Sequence, residues 1–479
     1  MKRSTPYSDF RRTSRYRSLL MVVAVAGLVL ASGGATATAT SSPTELESAQ
    51  NLPLVTTGTA RTNAVVAWNA NAGEATVAAC FLGGYGPQEA RMYAMMHVAV
   101  HDALNGIDRR SHPYAADLRA PSWTSSDAAV ASAAHDVLVP VLGSFSFFLH
   151  TDCISAGIAS VEADYSTALD AIPDGAAKTR GIALGQRAAG AVLSLRADDG
   201  YDTPTTDPNY REGTAPGEYR YTPGTPFAFA PFLGEDLTPF ALRDGSQFRP
   251  GPPYRLTSSK YAADVNEVQR LGGDDVTTPS ARTEEQTEIA RFWLESSPLL
   301  WNRIARTVST AEGLDSWENA RLFGLLNMAL TDGYIGTFET KYLYRFWRPV
   351  TAIRLADTDG NPATTADPTW TPLDPTPPIP DYDSGHATEG GVAAQVLRRF
   401  FHTDRVSFSV CSFTLLDGKC SDASPTMRHF TRFSQAMNEN ALSRIYVGYH
   451  FRDAVETGNR HGKKIGNWTV DRVLRPSCH

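Results

Sequence analysis

Long segments of helical periodicity constrain the fold of this 479-residue chain more than any other feature. Apolar residues recur at intervals of three and four in "PQEARMYAMMHVAVHDALNGID", and again in "SWENARLFGLLNMALTDGYIGTFETKYLYRFWRP" and "GGVAAQVLRRFF". This spacing places them on one face of an α-helix, whereas alternating strand patterns are few. The sequence therefore predicts a mainly α fold, a helical bundle with long ordered loops.

The N-terminus has the pattern of a secretory signal peptide. Basic residues precede an apolar run from Leu19 to Ala31 that is short for a membrane span, and small residues follow it near Ala37 and Ala39. We therefore expect residues 1–39 to be removed and the protein to be secreted. A polar linker is predicted at residues 40–60.

The remaining residues, 61–479, are expected to form one helical domain with three parts. A helical N-terminal half, a loop-rich insert and a C-terminal catalytic half are predicted at about 61–196, 197–277 and 278–479. The insert is rich in Pro, Gly, Tyr and Asp, and its aromatic content indicates an ordered layer rather than a disordered segment.

Charge and cysteine content limit the class of protein further. Loss of residues 1–39 removes six Lys/Arg and one Asp, so the net charge would change from −7 to −12. An acidic protein is a poor candidate for binding nucleic acid or an anionic membrane, and we predict neither partner. Five cysteines indicate one or two disulfides, with Cys411 and Cys420 the favoured pair because "CSFTLLDGKC" can close as a short loop. The oligomeric state stays open.

The first candidate site segment is "KYLYRFWRP". Lys341 and Arg348 are seven residues apart, so both cations would project from the same side of one helix, which Pro349 then ends or kinks. A solvated cationic stripe is the alternative. The aromatic residues between them favour a partly buried setting, in which unpaired cations require an anion.

The second segment is "PDYDSGHAT", at the start of a predicted helix. Ser384 or Asp383 can serve as the N-cap, and Gly385 allows close approach of the backbone, so the free amides would form an anion site beside His386. The alternative is an ordinary cap followed by an incidental histidine.

The third segment is "SRIYVGYHFRDAVETG". Arg444 and His450 lie six residues apart, about 240° around an ideal helix, so they share a face only if the helix breaks between them. Gly448 is the expected break. Asp453 would be within reach of the imidazole and could fix its tautomer, although a purely structural histidine is also possible.

Taken together, the segments supply three cations, backbone and hydroxyl donors, and two histidines, which is the composition of a site for a tetrahedral oxyanion. They resemble the signature of the vanadium-dependent haloperoxidase and type 2 acid phosphatase superfamily: Lys-x6-Arg-Pro, Ser-Gly-His and Ser-Arg-x5-His. The helix "ARMYAMMHVAVHDALN" further resembles the bacterial secreted haloperoxidase branch.

The resemblance implies a vanadate cofactor, with phosphate able to occupy the same site. Five residues would bind its oxygens: Lys341, Arg348, Ser384, Gly385 and Arg444. His450 would be the metal ligand and His386 the acid/base. The implied activity is oxidation of halide by hydrogen peroxide to halogenate small organic substrates; the alternative is a secreted acid phosphatase with His450 as nucleophile.

Two positions depart from the family pattern. Asp383 stands where the family has proline, and Ala454 stands where it has aspartate, with Asp453 one position early. Asp383 would add negative charge near the anion site unless its side chain turns away.

Two further hypotheses compete with this interpretation. "HVAVH" places His97 and His101 four residues apart beside Asp102, as in a zinc site, but the glutamate of His-Glu-x-x-His is missing. A packed helix with hydrogen-bonded histidines is favoured there. A non-catalytic secreted binding protein is the other possibility, and the convergence of Lys341, His386 and His450 argues against it.

Overall fold

Most of the residues that the computed structural model describes, 63–81, 85–145 and 149–477, are helical. These ranges contain fourteen α-helices: α1 Ala64–Ala78, α2 Gly86–Ile107, α3 Ser126–Ser144, α4 Thr151–Asp170, α5 Ala176–Leu195, α6 Leu233–Asp236, α7 Ser259–Leu271, α8 Glu284–Phe292, α9 Ser297–Ala311, α10 Ser316–Tyr344, α11 Pro349–Arg354, α12 Gly385–Phe400, α13 Phe433–Tyr446 and α14 Arg452–Arg472. Two short strands, β1 Phe408–Val410 and β2 Arg428–Phe430, pair antiparallel. The predicted mainly α fold is confirmed. The predicted signal peptide and linker lie outside the described residues.

Helices α2 and α10 form the centre of the core. Every residue of α2 from Gly86 to Gly106 is buried, and α10 is buried almost continuously from Leu322 to Phe338. A helix that is buried on all sides belongs inside a protein rather than on its surface. The two helices pack on each other, α3 and α5 pack on α2, and α12 and α14 pack on α10.

Helices α12 and α14 make especially close contact, and this contact positions the candidate site. Gly462 of α14 lies against the backbone of α12, since a Cβ atom there would be 2.0 Å from the carbonyl oxygen of Thr388. Only glycine allows such an approach. The helix that begins at Gly385 is therefore seated directly on the helix that follows His450.

The loop-rich region is ordered, and α10 anchors it. The buried carboxylate of Asp332 accepts hydrogen bonds from the backbone N–H groups of Phe240, Ala241 and Leu242, at 2.6, 2.7 and 2.9 Å. Helix α7, at the end of this region, was not predicted. Its buried residues Tyr261, Val265 and Val268 follow helical spacing within a single short segment.

Two disulfides tie loops to the helices. The predicted Cys411–Cys420 bond is present, and a second bond joins Cys80, just after α1, to Cys153 in α4. Cys478 lies outside the described residues. A search of the helices in the described ranges found none with the length and apolar character of a membrane span.

Candidate active site

One cavity of about 390 Å³ brings together most of the residues that the sequence singled out. Six of them line it: Lys341, Arg348, Gly385, His386, Arg444 and His450. They come from α10, α12 and α13, from the residue that precedes α11, and from the connection between α13 and α14. Segments that are more than 100 residues apart in the sequence therefore meet at one cavity.

The three cations at this cavity are buried, each with at most 1% of its surface exposed. The Lys341 ammonium donates hydrogen bonds to the carbonyl oxygens of Pro380 and Asp381, both at 2.8 Å. The Arg444 guanidinium donates to the carbonyl of Trp293 at 2.8 Å. These carbonyl contacts orient the cations without neutralising them. Burial lowers the pKa of Lys341 well below its usual value and that of Arg444 to about 10.

Arg348 reaches the cavity by a route that differs from the prediction. Helix α10 ends at Tyr344, and Arg345 adopts a left-handed conformation with φ of 46°. Arg348 is instead the N-cap residue of α11, so the prediction that it shares one helix face with Lys341 is wrong. Its Nε donates to the carbonyl of Ile379 at 2.6 Å, while Nη2 is buried without a hydrogen-bond partner.

The start of α12 provides neutral donors. Ser384 is its N-cap residue, and the Ser384 hydroxyl is buried without a hydrogen-bond partner. A Cβ atom placed on Gly385 would meet nothing within 4 Å, so there is open space in front of the first helical residue. Two buried donors without a hydrogen-bond partner among the described residues, together with a helix N-terminus, adjoin one cationic cavity. This arrangement fits an oxyanion such as vanadate or phosphate.

His450 lies in the extended segment between α13 and α14, beyond the break that Gly448 makes with φ of 85°. Its Nδ1 is 2.9 Å from a carboxylate oxygen of Asp381, and its Nε2 is 2.9 Å from Nη1 of Arg348. A proton on Nδ1 facing Asp381 leaves the Nε2 lone pair on the Arg348 side. Burial first, and then Arg348, lower the pKa of His450 well below its usual value, so the imidazole is neutral.

The predicted role of Asp453 as the partner of His450 is wrong, because the structure gives that contact to Asp381. Helix α14 begins only at Arg452, so His450 precedes the helix and a three-residue helical spacing does not apply. The Asp453 backbone N–H bonds to Asp264 at 2.9 Å, and its carboxylate faces Thr457.

His386 occupies the first turn of α12 and is partly exposed. Its Nε2 is 3.4 Å from the carbonyl oxygen of Glu295. Burial within the site, together with the positive charge of Arg444, lowers the pKa of His386 well below its usual value. A bound anion would offset the positive charge of Arg444 and so raise this pKa, which favours protonation of His386.

Asp383 turns away from the cavity. Its carboxylate contacts Nδ1 of His461 in α14 at 2.9 Å and accepts a hydrogen bond from the Thr337 hydroxyl at 2.7 Å. The Asp383 carboxyl group is therefore directed at a histidine and a hydroxyl behind the site.

The histidines of α2 have separate structural partners. His97 Nε2 is 2.7 Å from the Asn69 amide, while His101 contacts Asp102 at 2.9 Å and the Ser111 hydroxyl at 2.7 Å. The carboxylate of Asp102 also accepts the backbone N–H groups of residues 114–116. Within the described ranges, no three His, Cys, Asp or Glu side chains are grouped to hold a metal cation. This helix is the packed helix that the sequence favoured.

Comparisons with known proteins agree with this geometry. Residues 321–477 match the family model of the VCPO second helical-bundle domain. Vanadium chloroperoxidase from Curvularia inaequalis is 27% identical over 281 residues, which is 47% of this chain and 45% of that protein. The chain thus spans less than half the length of this curated relative.

Two solved structures share the architecture. A bacterial vanadium-dependent iodoperoxidase has a TM-score of 0.68 at 22% identity, covering 86% of this chain and 96% of the other. A holo-type bacterial vanadium-dependent chloroperoxidase has a TM-score of 0.61 at 19% identity, covering 81% and 92%. The fold is therefore the all-α fold of the vanadium haloperoxidases. The family-model and sequence matches add that the C-terminal part of the chain is similar in sequence to vanadium chloroperoxidase, in agreement with the resemblance.

Several residues at the site were missed by sequence reasoning. Asp381 lies within the "PDYDSGH" segment but was given no role, and its contact with His450 depends on a fold that joins distant segments. His461 carries no local signal for its pairing with Asp383. Tyr449 was also missed: its ring lies 5.6 Å from the Arg444 guanidinium, and its hydroxyl donates to Asp374 at 2.8 Å.

Proposed function

We propose that the protein is a secreted vanadate-dependent haloperoxidase, which converts halide, hydrogen peroxide and a proton into hypohalous acid and water and halogenates small organic substrates. One observation carries the proposal. Three buried cations, a helix N-terminus and two neutral histidines surround one cavity. Beside it, the Ser384 hydroxyl and Arg348 Nη2 have no hydrogen-bond partner among the residues that the structure describes. A highly charged oxyanion satisfies all of these groups at once.

Each residue has a definable part in holding the cofactor. Lys341, Arg348 and Arg444 balance the charge of the oxyanion, while Ser384 and the Gly385 amide donate hydrogen bonds. His450 would hold vanadium through Nε2, while its Nδ1 is held by Asp381 at 2.9 Å. Bound vanadate would supply a Lewis-acidic V(V) centre that activates peroxide without a change in oxidation state.

His386 is suited to moving protons at this site. Its pKa lies well below the usual value, and a bound anion would raise its affinity for a proton. A histidine with these properties can accept a proton from incoming peroxide and return it to a departing oxygen, which is general acid and base catalysis.

The acid phosphatase alternative uses the same residues with phosphate in place of vanadate. A neutral His450 would then be the nucleophile through Nε2, the nitrogen beside Arg348, and His386 would be the acid for the leaving group. The names of the relatives favour the haloperoxidase. The cavity does so too, because one end is lined by aromatic residues that binding of a phosphate ion alone would not require.

Secretion is part of the proposal and rests on two features. The first is the basic and apolar pattern of residues 1–39. The second is the pair of disulfides, which form and persist mainly in oxidising compartments.

A paired assay on one preparation tests the proposed activity. Bromination of an activated cyclic diketone is measured with vanadate, peroxide and bromide, beside hydrolysis of an aryl phosphate without vanadate. We expect halogenation that depends on vanadate. If vanadate only inhibits the hydrolysis and supports no halogenation with bromide, chloride or iodide, the phosphatase alternative replaces the haloperoxidase.

A further inference from the structure

The cavity is chemically divided into two ends. Its charged end consists of the cations and histidines already described. The other end is lined largely by aromatic side chains, and we call Phe227, Phe229, Tyr334 and Phe338 the aromatic wall. None of these four carries a charge, because burial raises the pKa of Tyr334 well above its usual value and keeps it protonated.

Helix α10 makes the two ends continuous. Tyr334, Phe338 and Lys341 are spaced by four and three residues, so they share one helix face. The ring of Phe338 lies 6.5 Å from that of Tyr334 and 6.5 Å from that of Phe229, inclined at 58° and 71°. The aromatic wall is thus an array of tilted rings that leads directly to a cation of the oxyanion site.

Hydrogen bonds hold this wall in place before any ligand binds. The Phe229 N–H donates to the carbonyl of Pro378 at 2.8 Å, and the Phe229 carbonyl accepts a hydrogen bond from the Tyr342 hydroxyl. The next apolar residue, Ile379, offers its carbonyl to Arg348 at 2.6 Å. These contacts therefore fix Phe229 relative to the charged end, and preorganisation of this kind favours binding.

We propose that the aromatic wall is the binding site for a neutral, electron-rich arene of the phenol type, the substrate of the reaction proposed above. Tilted aromatic pairs attract each other beyond the effect of area alone, and the wall offers no charged partner for an ionic ligand. A cavity of about 390 Å³ is of the size that encloses a small organic molecule.

This placement has a chemical consequence and rests on the proposed function. A phenol held on the wall would lie next to the charged end, because Tyr334, Phe338 and Lys341 share one face of α10. Hypohalous acid formed there reacts with the ring so that one carbon–halogen bond replaces one carbon–hydrogen bond and water is released. The substrate class then follows from shape and apolar contact rather than from a charged recognition group.

The test measures binding of 2-naphthol to the mature protein by titration calorimetry, without vanadate, peroxide or halide. Phe227→Ala and Phe229→Leu remove a ring while leaving backbone contacts intact. We expect each to raise the dissociation constant for 2-naphthol about tenfold. Trp123→Ala removes an exposed aromatic ring outside the cavity and serves as the matched control. Melting temperatures confirm that each variant is folded.

The non-aromatic alcohol cyclohexanol tests the substrate class, and we expect it to bind more weakly than 2-naphthol. The inference is overturned if the wild type shows no saturable binding, if the two phenylalanine variants bind like the Trp123→Ala control, or if cyclohexanol binds as tightly as the arene. The titration needs no turnover, so the two proposals can fail separately. Binding of 2-naphthol without halogenation would support the arene site and contradict the proposed activity. Halogenation without saturable binding of 2-naphthol would support the activity and contradict the arene site.

Discussion

At the residue scale, the roles of the two histidines follow from what their nitrogens contact. His450 is fixed by Asp381 on one nitrogen and presents the other beside Arg348. His386 has only a long contact, at 3.4 Å, to a backbone carbonyl. A nitrogen held in one orientation suits a ligand, whereas a less constrained ring suits a proton carrier.

The substitutions His450→Ala and His386→Ala should therefore have different effects. We expect His450→Ala to lose at least about tenfold in vanadate affinity, the usual scale for loss of a ligand or its support. His386→Ala should retain the anion while turnover falls by about a hundredfold or more. Equilibrium dialysis and the bromination assay measure the two quantities. Equal losses of vanadate in both variants would show that the assignment is wrong.

Glu89 allows a prediction for stability against pH. It is buried beside Ser296, which lines the cavity, and burial raises its pKa from 4.5 to about 7. A carboxyl with a raised folded pKa stabilises the fold while protonated. That contribution is complete below pH 4.5 and is lost as the pH rises through about 7.

Glu89→Gln should remove this dependence, because the amide stays neutral. Its unfolding free energy should match the wild type in acid and exceed it by up to about 3 kcal/mol above about pH 8. Urea unfolding at a series of pH values measures the difference. Glu74→Gln, an exposed change in α1, is the control. A constant difference across the series would contradict the account.

Individual site residues were predictable where a motif fixed them. Lys341, Gly385 and Arg444 belong to short motifs whose residue types and spacing indicate an anion site. The structure brings them to one cavity. Asp381 and His461 were not predictable because their contacts cross 69 and 78 residues of sequence. Asp453 was given a role because helical spacing was assumed before α14 begins.

At the scale of elements, the site depends on where helices end. The break at Gly448 separates Arg444 from His450, and the end of α10 at Tyr344 frees Arg348 to start α11. The first end was predicted from the glycine. The second was not, because Pro349 is a stronger stop signal than Arg345, whose left-handed conformation has no sequence signature. Helix α7 was missed because its apolar spacing is short and lies among prolines and glycines.

The substitution Gly448→Ala should therefore disturb both folding and the site. A Cβ atom there would be 2.7 Å from the Gly272 carbonyl oxygen and 2.8 Å from the Pro372 side chain, and φ is 85°. We expect a loss of about 2 kcal/mol or more in unfolding free energy and weaker phosphate binding, because His450 follows two residues later.

Gly360→Ala is the matched control for this change. Its φ of 70° brings the same backbone strain, but a Cβ atom there meets nothing within 4 Å. It should lose only about 1–2 kcal/mol and keep its phosphate affinity. Similar phosphate affinities in the two variants, measured by calorimetry, would show that the close contacts of Gly448 do not position His450.

At the scale of the whole molecule, three regions meet at the cavity. The C-terminal helices supply the cations and histidines, the loop layer supplies Phe227 and Phe229, and the start of α2 supplies Gly86 and Pro87. The spacing of apolar residues predicted the mainly α fold, because a helix leaves such a pattern within one short segment of sequence. The position of the loop-rich insert, about 197–277, beside the cavity was not predictable. It depends on contacts between distant residues, such as that between Phe229 and Pro378.

The central claim is that this cavity binds a vanadate ion at the predicted cations, and equilibrium dialysis tests it most directly. We predict that the wild type takes up a single vanadate that phosphate displaces. The double variant Lys341→Ala and Arg444→Ala should lose this uptake while keeping a cooperative thermal transition. The exposed double variant Arg187→Ala and Lys419→Ala should bind like the wild type. Vanadate uptake that is unchanged in the Lys341 and Arg444 variant, or that phosphate does not reduce, would contradict the account.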